Sequence, residues 1–277
     1  MTTAPLKVGI LNLMHDKVDT QRRFRHVLTR SARPVEITFL YPQTHYLSRP
    51  VPNLVKRISQ PLELNQINQY DAFIITGAPI ERLPFNKITY IDELHRLIDQ
   101  LVKLNIPQLY ICWGAMAAAN YLYDIEKHQL PRKLFGVYPN HILNSSRLLT
   151  GLPDGFLAPH ARYAELDYRQ ISAHPELILE ATTVDGQLFS FRARNRQQYF
   201  LFSHLEYGRN ALLKEYHREK NAHPNWDYAK PQNYFLDPIH MRAPQFKWQP
   251  AQQIFFDNWL HIVAQNKNTK YKVLVKE

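Results

Sequence analysis

The run Pro107-Gln108-Leu109-Tyr110-Ile111-Cys112-Trp113-Gly114-Ala115-Met116-Ala117-Ala118-Ala119-Asn120 reads as an apolar strand that passes straight into a helix. A strand-to-helix elbow lifts one side chain above the sheet end and aims the first free N–H groups of the helix at the same spot. Here that side chain is Cys112, the single cysteine of 277 residues. A lone thiol has no disulfide partner within the chain, and at an elbow it is presented as a nucleophile. Elsewhere a cysteine among apolar neighbours is commonly just a small buried hydrophobe, so the reading needs a base nearby.

A base is supplied further along. Gln198-Tyr199-Phe200-Leu201-Phe202-Ser203 reads as a strand and delivers His204-Leu205-Glu206 at its end. Residues two apart on a strand point to the same face, so Glu206 would stand beside His204 and orient or support the imidazole. Leu6 to Leu13 reads as a first buried strand. Asp19-Thr20 is the expected cap of a helix carrying Phe24, Val27 and Leu28 at helical spacing. Val35 to Tyr41 and Ala72 to Gly77 follow as strands, and Tyr90 to Asn105 sets Ile91, Leu94, Leu97, Ile98, Leu101 and Val102 on one helical stripe. This alternation predicts an α/β fold, a mostly parallel central sheet with helices on both faces. Ligands of such sheets bind beyond the C-terminal strand ends, where Gly77, Cys112 and His204 all fall.

The later part is less regular. Leu177 to Ala181 and Gln187 to Arg192 read as shorter strands with some antiparallel pairing, and a helix is expected from about Asn210 to Glu219. Residues 220–250, rich in proline and aromatics without a clear period, read as an irregular segment that wraps a surface. Pro250 opens a last helix with Ile254, Phe255, Trp259, Ile262 and Val263 on one face, and the tail 267–277 is expected to fray. No internal repeat is present, and residues 1–277 are read as one domain.

The formal charge of +10 raises nucleic acid as a partner. The distribution argues against it, since the densest clusters, Arg22-Arg23-Phe24-Arg25 and Arg192-Ala193-Arg194-Asn195-Arg196, form no basic helix or aromatic stripe. A smaller phosphorylated ligand would profit from the same field. No apolar run reaches the roughly 18 residues of a membrane span, and the N-terminus enters a strand with no signal peptide, so a cytoplasmic protein with no membrane partner is expected. The histidines show no compact metal-ligand spacing, and no metal is expected.

A cysteine at an elbow with His-x-Glu at a later strand end resembles the class I glutamine amidotransferases, whose fold is flavodoxin-like. The wider sequence is more similar to the homoserine O-acyltransferase (homoserine transsuccinylase) family of that superfamily. The resemblance rests on Ile10-Leu11-Asn12-Leu13-Met14, Thr76-Gly77-Ala78-Pro79, Cys112-Trp113, Lys133-Leu134-Phe135-Gly136-Val137-Tyr138, Phe156-Leu157-Ala158-Pro159-His160, Arg162-Tyr163 and His204-Leu205-Glu206-Tyr207, in family order from about residue 7 to 262. It implies ping-pong acyl transfer. Cys112 takes the acyl group from acyl-CoA, His204 deprotonates an amino-acid hydroxyl, and Glu206 partners His204. It further implies substrate contacts at Lys133 and Arg218, oxyanion donors in the backbone at Ala78 and Trp113, no permanently bound cofactor, and a homodimer.

Two positions bear on specificity through the same resemblance. Glu81 occupies the place where the family carries glycine with succinyl-CoA and glutamate with acetyl-CoA. Its charge would oppose succinate's distal carboxylate by on the order of 4 kcal/mol at about 4 Å and an effective dielectric near 20, so acetyl-CoA is the expected co-substrate. Ala161 stands where the family commonly has serine, and Leu205 where it has proline. Loss of the hydroxyl at 161 tilts the acceptor toward L-serine, for cysteine synthesis, with L-homoserine, for methionine synthesis, as the alternative. One methylene discriminates by only about 1–3 kcal/mol. A glutamine-hydrolysing amidotransferase and a binding protein that kept the fold are the competing classes.

Overall fold

The computed structural model describes the backbone of residues 4–274 and side chains as far as residue 269. Strand β1 (Leu6–Leu11) is apolar and buried apart from Lys7. It stops before Leu13 because the Leu13 N–H leaves the ladder for Thr76 Oγ1 at 2.9 Å. Helix α1 (Lys17–Thr29) begins earlier than Asp19-Thr20 suggest. Asp16 is the cap, its carboxylate accepting the Asp19 N–H at 3.0 Å. Then come β2 (Val35–Tyr41), the short α2 (Asn53–Ile58), β3 (Gln60–Pro61) and β4 (Ala72–Ile75). Helix α3 (Ile91–Lys103) buries Leu94, Leu97, Ile98 and Leu101, the stripe its three-and-four spacing demands. It leads into β5 (Gln108–Ile111) and α4 (Trp113–Tyr123).

The second half starts with a long hairpin, β6 (Lys127–Ile142) and β7 (Phe156–Leu166), followed by α5 (Tyr168–Ala173). Strands β8 (Leu177–Thr183), β9 (Leu188–Ala193) and β10 (Gln198–Leu201) complete the sheet. Helix α6 (Ala211–Ala222), a ribbon of β11 (Phe235–Asp237) and β12 (Arg242–Pro244), and α7 (Gln249–Leu274) end the described chain.

One ten-stranded sheet runs in the order β3-β2-β1-β4-β5-β10-β9-β8-β6-β7. Its first six strands are mutually parallel, and from β10 outward the pairing is antiparallel. The α/β class with a mostly parallel centre is thus realised, with the antiparallel strands gathered at one edge. Neighbouring residues of a strand go to opposite faces, which divides the core in two. Ile74, Leu109 and Ile111 meet Phe24 and Leu28 of α1 and Phe255 and Trp259 of α7. Phe73, Ile75 and Tyr110 meet Leu97 and Leu101 of α3 and Met116 of α4. Both faces are covered, so Leu109, Tyr110 and Ile111 of β5 run on without a polar break. Each such fully buried Leu, Ile or Phe contributes about 1.5–3 kcal/mol.

The segment after α6 is clipped onto the sheet by its backbone. Gln232 donates to the Phe135 carbonyl and accepts from the Val137 N–H, each at 2.9 Å. The indole of Trp248, wholly buried, donates to the Tyr207 carbonyl at 2.8 Å. Where fraying is expected from Lys267, residues 267–274 continue α7. The Lys267 ammonium ties the helix to Asp71 at 2.7 Å and to the Pro5 carbonyl at 3.2 Å. Residues 275–277 of that expected tail lie outside the described chain. Among the described residues no helix is long and apolar enough to cross a membrane.

Candidate active site

Register brings the site together. Tyr110 of β5 pairs with Ile75 of β4 on one side and Phe200 of β10 on the other, so these three strands end level. Beyond that edge lie Gly77, Cys112 and His204. The Cys112 N–H donates to the Leu201 carbonyl at 2.7 Å, and its own carbonyl accepts from Met116 as α4 begins. Between these two bonds the chain must reverse, and Cys112 takes φ 51° and ψ −112°. A non-glycine residue held there costs about 1–3 kcal/mol, which the flanking strand and helix supply.

Two glycines permit the elbow. A Cβ on Gly114 would lie 2.7 Å from the Thr76 carbonyl oxygen and 2.8 Å from that of Ile75, backbone that cannot give way. A Cβ on Gly77 would come within 3.3 Å of both the Cys112 Cβ and the His204 Cε1. Gly114→Ala is therefore expected to destabilise by about 1–3 kcal/mol, as overpacking does. Urea denaturation reads this directly, and a change within about 0.5 kcal/mol would refute the close approach.

Strand β10 ends at Leu201, so strand pleating does not align His204 with Glu206 as the sequence suggests. A turn does. The His204 N–H donates to the Pro159 carbonyl at 2.8 Å, its carbonyl accepts from the Tyr207 N–H at 2.9 Å, and within that turn His204 Nδ1 sits 2.8 Å from Glu206 Oε1. This leaves Nε2 for the hydrogen bond between the imidazole and the Cys112 side chain. The Tyr207 ring stacks on the imidazole at 4.5 Å and 21°, and the Arg23 guanidinium lies 4.4 Å from the Tyr207 centroid. Burial opposes charge on His204, yet the Glu206 carboxylate and the Cys112 sulfur outweigh it and push the imidazole up to about 10. The resting arrangement is an imidazolium between sulfur and carboxylate.

His160, from the Pro-His-Ala-Arg-Tyr block, has another role. Burial first, then Arg162 and His204, hold its imidazole well below the ordinary value, so it is neutral. Its Nδ1 meets the Arg162 guanidinium at 2.6 Å. Arg162, wholly buried, also donates to the Phe202 carbonyl at 3.1 Å, the Leu188 carbonyl at 2.9 Å and the Glu165 carboxylate. This network ties β7 to β9 and to the segment leading to His204.

A cavity of about 300 Å³ opens over Cys112 and His204 and is lined also by Ala78, Glu81, Lys133, Ala161 and Arg218. Glu206 and Trp113 support it from behind: Glu206 through His204, Trp113 as a buried residue at the start of α4. Among the described residues, neither the Ala78 nor the Trp113 N–H has a hydrogen-bond partner. Glu81 is buried, and its carboxylate accepts from the Tyr163 N–H at 3.3 Å. Lys133 lies where the β6–β7 register breaks between Gln129 and Leu134, a break that re-aims side chains near sites.

Lys133 is not a free cation. Its ammonium is paired with Glu215 and hydrogen-bonded to Tyr228, with the Phe135 ring 4.3 Å away. Glu215 also accepts from the Tyr207 hydroxyl at 3.0 Å. Burial would raise the Glu215 carboxyl, but Lys133 and Arg218 hold it below its usual value, so it is ionised. Arg218 pairs with Glu219 at 2.9 Å and remains partly open to the cavity. Tyr163, Tyr207, Glu215, His223 and Trp226 are cavity residues that sequence reasoning missed. Glu215 had a signal: three residues before Arg218 on one helix, it must share that face. Among the described residues no cluster of three or more His, Cys, Asp or Glu side chains could hold a metal.

The model of the family described as homoserine O-succinyltransferase matches residues 2–269. The chain belongs to this O-acyltransferase family. It is 49% identical over 263 residues to a serine O-acetyltransferase from Lactobacillus acidophilus, covering 95% of this chain and 97% of the relative. It is 34% identical over 269 residues to a homoserine O-acetyltransferase from Thermotoga neapolitana, covering 97% and 88%. A solved glutamine amidotransferase from Thermotoga maritima shares the fold, with a TM-score of 0.65 at 13% identity over 94% of this chain and 99% of that one. At that identity the likeness is one of fold.

Proposed function

We propose that the chain moves an acetyl group from acetyl-CoA to the hydroxyl of L-serine through a thioester on Cys112. The observation that carries this is the Cys112 side chain hydrogen-bonded to His204, which Glu206 holds at 2.8 Å, in a cavity sized for a small amino acid. In the first half the Cys112 thiolate attacks the thioester carbonyl, the C–S bond to CoA breaks, and the departing thiolate takes the proton of His204. The oxygen of the tetrahedral intermediate lies against the N–H groups of Ala78 and Trp113, which are free of other partners; one such donor is worth about 10²–10³ in rate. In the second half the serine hydroxyl attacks the acetyl carbon, His204 accepts its proton, and the Cys112 thiolate leaves.

The charge on His204 changes between the halves. Part of what raises the imidazole is the Cys112 sulfur. Acetylation removes that anion, so His204 releases its proton more readily and becomes the base the hydroxyl needs. In the cavity the acceptor's carboxylate meets Lys133 and Arg218, and its ammonium group meets Glu215 and Glu219, which keeps both charges paired on burial.

Glu81 supports the acetyl donor: its carboxylate lines the cavity where a longer acid's distal carboxylate would have to sit. Glu81→Gly is expected to open measurable transfer from succinyl-CoA and to lower the preference for acetyl-CoA by about 10-fold or more. Parallel donor assays check this, and unchanged discrimination removes Glu81 from donor choice. Serine rather than homoserine is supported by Ala161, a methyl group on the cavity wall, and by the higher identity to a relative named for serine. L-Homoserine remains the second reading on the strength of the relatives named for it. Steady-state assays with the two acceptors decide the order, and a much larger kcat/KM for homoserine reverses it. The covalent step is tested by mass spectrometry after mixing with acetyl-CoA: one acetyl group on Cys112 is required.

A further inference from the structure

A second hollow of about 610 Å³ adjoins the cavity over Cys112, and the two share Met14, Ala78, Pro79, Ile80 and Leu83 as a common wall. Ala78 is the residue whose amide faces the thioester oxygen in the proposed reaction, so this wall begins beside the reacting carbon. The hollow is built largely of apolar side chains, among them Leu54, Val55, Ile88 and Tyr90, and it also carries the cations Lys17, Arg49 and Lys87. Three of its residues leave large apolar surface to water: Val18 at 51% exposure, Leu54 at 44% and Leu83 at 46%. Exposed apolar surface gathered at a concavity marks a binding surface.

Size separates the two spaces. A cavity of about 300 Å³ takes a small amino acid and an acetyl group, but not a donor whose thiol ends a long amide arm with a phosphorylated nucleotide. In that cavity Glu81, Glu215 and Glu219 are matched by Arg82, Lys133 and Arg218, a balanced lining that suits a small zwitterion. The adjoining hollow differs, with apolar walls for the amide arm and an excess of cations, Lys17, Arg49 and Lys87 against the single acid Asp16, for the phosphates.

We propose that this hollow binds the pantetheine and phosphate end of the acyl-CoA donor, while the cavity on the other side of Ala78–Ile80 receives the acceptor amino acid. The inference rests on the acetyl-CoA reading above. It explains how the acceptor hydroxyl reaches the thioester: the CoA thiol withdraws over the common wall, and the amino acid needs no part of the space it leaves.

The experiment compares acetyl-CoA with S-acetyl-N-acetylcysteamine, a short thioester that lacks the phosphates and reaches little of the hollow. In an Arg49→Glu, Lys87→Glu double variant the KM for acetyl-CoA is expected to rise about 10-fold or more with kcat nearly unchanged, while the parameters for the short thioester hold. Leu54→Trp, which fills the hollow without changing charge, is expected to show the same split. An unchanged KM for acetyl-CoA in both variants overturns the proposal. So does an equal loss with both donors, because that reports a distorted site. A parent protein that turns over neither thioester overturns the acetyl-donor reading, and the donor subsite falls with it.

Discussion

Cys112→Ala is expected to lower kcat with acetyl-CoA and L-serine on the order of 10⁴-fold or more, and to abolish the acetyl adduct. No serine or threonine lines the cavity among the described residues, and the hydroxyls of Tyr207 and Tyr163 are engaged by Glu215 and Tyr228. The Lys133 amine is engaged as an ammonium by Glu215 and Tyr228. What remains is direct attack by the acceptor on bound acetyl-CoA with His204 as base, a single displacement. Initial-rate patterns should therefore change from ping-pong to sequential in whatever activity survives. A variant retaining more than about one part in a hundred of the parent rate would rule out the covalent route.

Glu206→Gln is expected to cost about 10²–10⁴-fold in kcat/KM for the acetyl donor. The amide keeps the shape of the carboxylate but removes the charge that, against burial, holds the imidazole at about 10. The sign for stability follows from that raised value. The imidazolium pair stabilises the fold in full below the ordinary histidine value of about 6.5, and this contribution is lost as pH rises through about 10. Urea denaturation should therefore separate parent from variant most widely near pH 6 and least above about 10. The alkaline limb of the rate profile should move toward neutrality in the variant. A profile that stays in place would mean that Glu206 does not govern the charge of His204.

Much of this site was legible because its parts are local. An apolar run followed by small residues gives the β5–Cys112–α4 elbow, and helical spacing gives the buried face of α3. His204 and Glu206 were rightly paired on a wrong premise: they lie beyond the end of β10, in a turn held by the Pro159 carbonyl of β7. The β6–β7 hairpin escaped notice because Pro131, Pro139 and Pro159 interrupt any strand pattern, although its backbone accommodates all three. The pairing of Lys133 with Glu215 and Tyr228 was not legible, since nothing near Lys133 in sequence announces either partner.

From its residues alone the chain was committed to an alternating α/β sheet, a cysteine at a strand-to-helix elbow and an imidazole with a carboxylate partner, because periodicity and short spacing act within a few residues. Tertiary structure decided how far apart those groups stand and what surrounds them. The shared register of β4, β5 and β10 sets the sulfur against the imidazole. The broken register of β6 places Lys133 opposite α6, and the wall at Ala78–Ile80 divides a charge-balanced cavity from a larger, mainly apolar hollow. These are contacts between residues distant in the chain, and only the closing of the sheet brings them within range of a hydrogen bond.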